Sequence, residues 1–357
     1  MASLLIYNPE NDTALAAGKR FFTPAKEPRR LAADGSLLPM WWAENGDFIL
    51  TERENLPEML NMRNRFGLSG DLFQPSDIKD ISNIKPWGWS DYIKEKCLKL
   101  GLKEEILPSD IQLETWRRLS HRKTTVEVHK RLKTESSLCP KEVFTLGDTM
   151  QLIEKMNGDA VIKQPWSSSG RGVFYTKNMS RRQLETVIAG FMNKQGSVLI
   201  EKRRDRLKDF ALLYYCSETE VAFKGISYFI TSSTGEYAGN LVEKNAVLID
   251  RIGHDITNMA ERLRLALQSV FLPSYQGWLG VDMMVERLKD GKESIVPCVE
   301  INVRMTMGVV AHLIADSHPE LCGRTLTLTK NIPDVDEINL SPVKDSHYHY
   351  VLTSKLF

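Results

Sequence analysis

Residues 160–173 read AVIKQPWSSSGRGV. A short apolar run carries a lysine, Lys163, into a small polar loop from Ser167 to Gly172, and the chain turns apolar again at Val173-Phe174-Tyr175. Backbone N–H groups in a glycine-bearing turn can converge on a phosphate, and glycine lets the backbone come close. A lysine on the adjoining strand adds a point charge. Here the lysine precedes the loop, so the stretch is neither a GxxxxGKS/T phosphate loop nor a dinucleotide fingerprint. An ordinary hairpin turn beside an exposed lysine would read the same way.

Working outward, the strongest second signal lies in Gly280-Val281-Asp282-Met283-Met284-Val285 and Val299-Glu300-Ile301-Asn302-Val303-Arg304. The turn Lys289-Asp290-Gly291-Lys292 between them contains Asp-Gly, a hairpin signal. Period-2 alternation puts Asp282 and Met284 on one face of the first strand, and Glu300, Asn302 and Arg304 on one face of the second. If the strands pair, two carboxylates and a carboxamide meet. Three hard oxygen donors suit Mg²⁺. A solvated face with a salt bridge to Arg304 is the alternative, but acids inside otherwise apolar strands are unusual. A third piece, Val198 to Lys202, is an apolar strand ending in Glu201-Lys202, with Asp209 opening the next strand a few residues on.

The totals bound the class. A chain of 357 residues exceeds one small core and implies two or three domains or subdomains. With 42% hydrophobic and 26% charged residues it is globular in composition. A formal charge of +1 makes no case for a nucleic-acid or membrane-surface partner. The five cysteines, Cys97, Cys139, Cys216, Cys298 and Cys322, form no CxxC pair and read as reduced, mostly buried thiols of a cytoplasmic protein. MASLLIYNPEND reads as a first strand and not a signal peptide, and no segment approaches the roughly 18 apolar residues of a membrane span.

Along the chain, Leu4–Tyr7, Phe48–Leu50 and Leu72-Phe73 read as strands, with a helix from Leu56 to Phe66. Their alternation predicts a small parallel α/β domain over the first hundred or so residues. The turn Asn8 to Asp12 follows the first strand, where such domains often bind ligands, though a structural turn is the plainer reading. Trp87-Gly88-Trp89 reads either as aromatic packing around a tight turn or as a ligand-facing element. Residues 109–132 are helical in character, Leu146 to Met156 gives a further helix, and Ser180 with Gln183 forms a capping box. Strands are expected at 197–201, 210–216, 221–230, 278–286 and 294–302, a helix at 256–271, and a last strand near 348–352. The second half is therefore α+β.

The order of these pieces resembles the ATP-grasp superfamily over roughly residues 109–315: a lysine strand with a small-residue loop, a strand ending in Glu-Lys, a later Asp on a strand, then Glu-x-Asn. The resemblance implies an α+β fold of two subdomains preceded by the small parallel α/β domain, with divisions 1–108, 109–205 and 206–357. It implies ATP and Mg²⁺, with Mn²⁺ as an alternative metal. Lys163 would contact the α/β-phosphates under a mobile loop that includes Ser168, Ser169, Gly170 and Gly172. Glu201 and Lys202 would lie at the adenine hinge. Asp209 stands where the family often has a ribose-binding Glu. Asp282, Glu300 and Asn302 would hold one or two Mg²⁺, and Arg304 would stabilise the transferring phosphoryl group or acyl-phosphate. Arg122 or Lys123 matches an earlier phosphate-binding lysine. The implied activity is that of a carboxylate–amine ligase on small-molecule substrates, and family members are often homodimers. A kinase of the same fold, or a nucleotide-binding regulatory protein without turnover, are the alternatives. After Asn302 the chain lacks the Pro-Gly turn of many peptide-forming members, and it carries no biotin-carrier motif.

Overall fold

The first strand, Ala2–Ile6, is buried along almost its whole length, the pattern of a strand covered on both faces. It pairs in parallel with Phe48–Ile49 on one side and Ile81–Pro86 on the other, and Asp71–Leu72 pairs in parallel with Phe48–Ile49. The computed structural model describes residues 2–53, 55–167, 172–231 and 237–354. The expected parallel α/β sheet is present, and its fourth strand, Ile81–Pro86, is one that alternation did not reveal.

Contacts group the chain into two compact units. One comprises residues 1–116, 225–251 and 304–357, and the other residues 117–224 and 252–303. This grouping cuts across the consecutive division at 108 and 205, because the C-terminal strands fold back into the unit that holds the N-terminus. In that first unit, Leu4, Ile6, Ile81 and Ile84 of the parallel sheet pack against Ile93 and Cys97 of the helix Asp91–Lys99. The same unit holds an antiparallel run in which Tyr237–Val242 pairs with Arg324–Thr329, which pairs with His349–Thr353.

The second unit holds one whole antiparallel sheet and three strands of the eight-stranded sheet to which that antiparallel run also belongs. Lys141–Val143, Val198–Lys202, Ala160–Lys163 and Val173–Tyr175 form the whole one, in that spatial order. Its inner face, Val143, Ile162, Val198 and Ile200, packs on Ile153 of the helix Leu146–Lys155 and on Ile188 and Phe191 of the helix Arg181–Gln195. The capping box of Ser180 and Gln183 forms as expected. In the other sheet Gly277–Arg287 pairs antiparallel with both Asp205–Cys216 and Glu293–Asn302. The Asp-Gly hairpin closes with Leu288 N–H donating to Lys292 O at 2.8 Å, and Gly291 sits at φ 83°, where glycine is unstrained.

Glu10, in the turn after the first strand, is only 4% exposed, and one of its carboxylate oxygens has no hydrogen-bond partner. Burial pushes its carboxyl up from the ordinary 4.5 to about 7. A folded-state value above the unfolded one means the acid must be ionised at a cost as pH rises, so stability falls between those two values. Replacing Glu10 with Gln removes that titration. We expect Glu10→Gln to match the parent near pH 4 and to be more stable by roughly 3 kcal/mol near pH 8 in urea unfolding. A constant offset between the two proteins across this range would disprove it.

Candidate functional site

Pro297 lies inside the strand Glu293–Asn302 and has no N–H to give the ladder. The register slips there. Glu300 opposes Asp282 and Val296 opposes Met284, so Pro297, Cys298 and Val299 face the single residue Met283. This bulge leaves carbonyls that need donors from elsewhere. His129 Nε2 donates to Cys298 O at 2.8 Å, and Lys163 Nζ donates to Val299 O at 3.4 Å. Burial lowers the His129 pKa, which keeps the ring neutral; its Nδ1, 2.7 Å from Thr134 Oγ1, is then the acceptor.

The bulge presents the acids. Asp282 and Glu300 sit directly opposite one another, and Asn302 Nδ2 donates to Asp282 Oδ2 at 3.2 Å. On the neighbouring strand Asp282 opposes Ala211 and Met284 opposes Asp209, so Asp209 shares their face. Asp209 lies 3.3 Å from Arg206. Among the described residues no three His, Cys, Asp or Glu side chains cluster as a metal site, so the acid pair needs the Asn302 oxygen as its third protein donor. Two carboxylates and a carboxamide on one strand pair are a hard oxygen set, which fits Mg²⁺.

Lys163 is 6% exposed and pairs with Glu201 Oε1 at 2.5 Å. The two are diagonal neighbours on one face, since Val161 opposes Glu201 and Lys163 opposes Leu199. Lys202 is exposed. Gln164 N–H donates to Gly172 O at 2.8 Å, and a Cβ at Gly172 would meet Ser167 Oγ at 2.5 Å, so Ser167 would have to shift to admit a side chain there. Ser168, Ser169 and Gly170 lie outside the described residues.

Of the two cations left open by the sequence, the structure brings Arg122 to the acids. Its Nη2 donates to both Glu300 oxygens at 2.8 Å, and its Nη1 donates to Gln164 O at 2.7 Å and Ser167 Oγ at 2.6 Å. Lys123 is exposed and lines a cavity of about 670 Å³ with Cys139, Lys141 and Glu142. Beside Arg122, His121 is held neutral: burial, then the nearby cations, lower its pKa to about 4, and its Nδ1 accepts from Lys123 N–H at 3.0 Å.

The expected strand face extends over Glu300 and Asn302 and does not reach Arg304. The strand ends at Asn302, so alternation stops two residues short, and Glu300 pairs with Arg122 instead. Arg304 belongs to the first unit, where its guanidinium grips Asp12 through Nε at 2.9 Å and Nη2 at 2.6 Å. Met305 N–H donates to Trp87 O at 2.9 Å. Asn8 Nδ2 donates to Gly88 O at 2.8 Å, and a side chain at Gly88 would strike the Asn11 amide at 2.5 Å. Trp87 is buried edge-on against Tyr7 at 5.0 Å. The N-terminal turn, the tryptophan turn and Arg304 thus form one packed cluster. Aromatic packing around a tight turn accounts for Trp87, and the glycine between the tryptophans leaves room for the Asn11 amide.

This architecture is that of the ATP-grasp fold. No protein-family model and no curated protein matches the chain by sequence. Solved structures match it by shape. N5-carboxyaminoimidazole ribonucleotide synthetase from Thermus thermophilus aligns with a TM-score of 0.54 at 12% identity, over 99% of this chain and 94% of that one. N5-carboxyaminoimidazole synthetase from Staphylococcus aureus gives 0.53 at 13% identity, over 99% and 94%. Biotin carboxylase from Campylobacter jejuni, in a β-γ-ATP complex, gives 0.52 at 13% identity, over 98% and 86%.

The Arg304–Asp12 pair has side chains only 13% and 14% exposed. Removing one partner of so buried a pair strands the other charge. Asp12→Ala is expected to lower stability by roughly 3 kcal/mol, and Arg304→Met in the same chain to recover part of that loss. Additive losses in the double-mutant cycle would show that the contact does not couple the two residues.

Proposed function

We propose that the protein is an ATP-dependent ligase that activates a small-molecule carboxylate as an acyl-phosphate for attack by an amine. The observation that carries the reading is the connected network of Lys163, Glu201, Arg122, Glu300, Asp282 and Asn302 in one unit of an ATP-grasp fold. The ATP analogue in the Campylobacter biotin carboxylase complex and the ADP in a second Staphylococcus aureus synthetase structure support nucleotide binding by this fold.

Bound MgATP, or MnATP in its place, supplies the phosphoryl group. Asp282, Glu300 and Asn302 hold the metal. Lys163 and Arg122 offset phosphate charge, and Arg122 is the cation that takes the role of the family's earlier lysine. Glu201 and Lys202 serve the adenine side and Asp209 the ribose. Gly172 ends the loop through Ser168, Ser169 and Gly170 that covers the phosphates and excludes water. Arg304 stabilises the transferring phosphoryl group or the acyl-phosphate. In such chemistry the protein mainly positions groups and neutralises charge. Residues 1–108, 109–205 and 206–357 correspond in this reading to the preceding domain and the two ATP-grasp subdomains. Among the described residues no helix is long and apolar enough to cross a membrane. The thiols Cys97 and Cys216, buried and with raised pKa values, suit a cytoplasmic protein.

The test is a calorimetric titration with a non-hydrolysable ATP analogue, with and without Mg²⁺. Binding that needs Mg²⁺ is expected, and it should be lost in Asp282→Asn and Glu300→Gln with the fold intact. Turnover should then release ADP and phosphate only when an acid and an amine are both supplied. A stable phosphoester product would make it a kinase, and no analogue binding under either condition would overturn the nucleotide reading.

A further inference from the structure

Arg122 holds an unusual position for a phosphate-binding cation. Its side chain is 5% exposed, it chelates both oxygens of Glu300, and it also holds Gln164 O and Ser167 Oγ, while its Nε is buried without a partner. Its own backbone N–H donates to Pro165 O at 3.0 Å. The guanidinium therefore spans two things at once: the carboxylate best placed to ligate a metal and the chain that leads from Lys163 into the loop. One guanidinium nitrogen, Nη2, bridges both Glu300 oxygens and takes the lone pairs between them that a chelating metal ion would use. Glu300 cannot give those lone pairs to both.

We propose that Arg122 is a positioning residue that competes with the metal for Glu300, so that metal binding and the hold on Gln164 and Ser167 are linked through one side chain. With no metal present, Arg122 neutralises Glu300 and pins the segment Gln164–Ser167. A divalent cation on Asp282 and Glu300 displaces the guanidinium. That frees its donors for phosphate oxygens and loosens Gln164 and Ser167. By linkage, whatever strengthens the Arg122–Glu300 pair weakens the metal, and the reverse. The inference rests on the metal role proposed for Asp282 and Glu300.

The probe is Mn²⁺ alone, added to the full chain without nucleotide and followed by the loss of its free-ion electron paramagnetic resonance signal. Arg122→Gln is expected to bind Mn²⁺ at least about threefold tighter than the parent, because the competitor and its positive charge are gone. Arg122→Lys keeps the charge but lacks the second nitrogen that anchors it on Gln164 and Ser167, and is expected to fall between the two, which keeps the test valid if the neutral variant does not fold. Hydrogen exchange of the peptide covering residues 164–167 should quicken when Mn²⁺ is added to the parent, and should be fast and insensitive to Mn²⁺ in Arg122→Gln. A merely structural arginine would weaken Mn²⁺ binding when replaced. Equal or weaker Mn²⁺ binding in both variants, or no Mn²⁺ bound by any of the proteins, overturns the proposal. Calorimetry with the ATP analogue is read separately, so loss of the nucleotide reading and loss of the competition are distinguishable.

Discussion

Pro297 cannot donate to a ladder, and it stands in the middle of the strand that carries Glu300. The strand lies at the edge of its sheet, where a proline is tolerated, and here the proline coincides with a bulge. The bulge turns Cys298 and Val299 carbonyls out of the ladder, and buried carbonyls must find donors. His129 and Lys163 provide them. Lys163 is thereby held twice, by Val299 O and by Glu201, and its strand is tied to the strand of Glu300 although the two belong to different sheets. The same slip sets Glu300 directly across from Asp282. The bulge at Pro297 thus lies at the junction of the cation and the acid pair.

The charges around this bulge are mutually satisfied. Arg122 answers Glu300, Lys163 answers Glu201, Asn302 answers Asp282 and Arg206 answers Asp209. Half-buried charges without partners would be costly, and a protein that must be stable before it meets a ligand has to provide internal ones. The consequence for function is that a nucleotide and a metal would replace existing interactions and not simply add to them. Affinity then measures a difference between two sets of charge pairs.

Much of this was legible beforehand. Alternation through Asp282-Met283-Met284 placed Asp282 on the half-exposed face correctly, and the Asp-Gly turn predicted the pairing that sets Asp282 across from Glu300. Lys163 at the end of an apolar strand led into the hairpin it forms. What failed was extrapolation. The period-2 reading ran through to Arg304, but a strand's face ends where its ladder ends, at Asn302. Pro297 was the visible sign that the ladder was interrupted, yet nothing local says how many residues a bulge will absorb. Arg122 and Lys123 were indistinguishable because neighbours in sequence differ only by which side of the backbone they leave. His129 and Asp12 gained their roles from partners 169 and 292 positions away, and no local pattern encodes such a pairing.

Arg304 shows why that last kind of contact matters. It follows Asn302 by two residues, yet its side chain is committed to the turn after the first strand. The grip is not loose: two guanidinium nitrogens hold Asp12, Nη1 holds Met305 O at 2.9 Å, and Met305 N–H is pinned to Trp87 O. A guanidinium held on two edges has a defined plane, set here by Asp12 and Met305 O and not by its own rotamers. Asn8, Asn11 and Gly88 pack in the same turn as Asp12, so the pair is held by a rigid local structure.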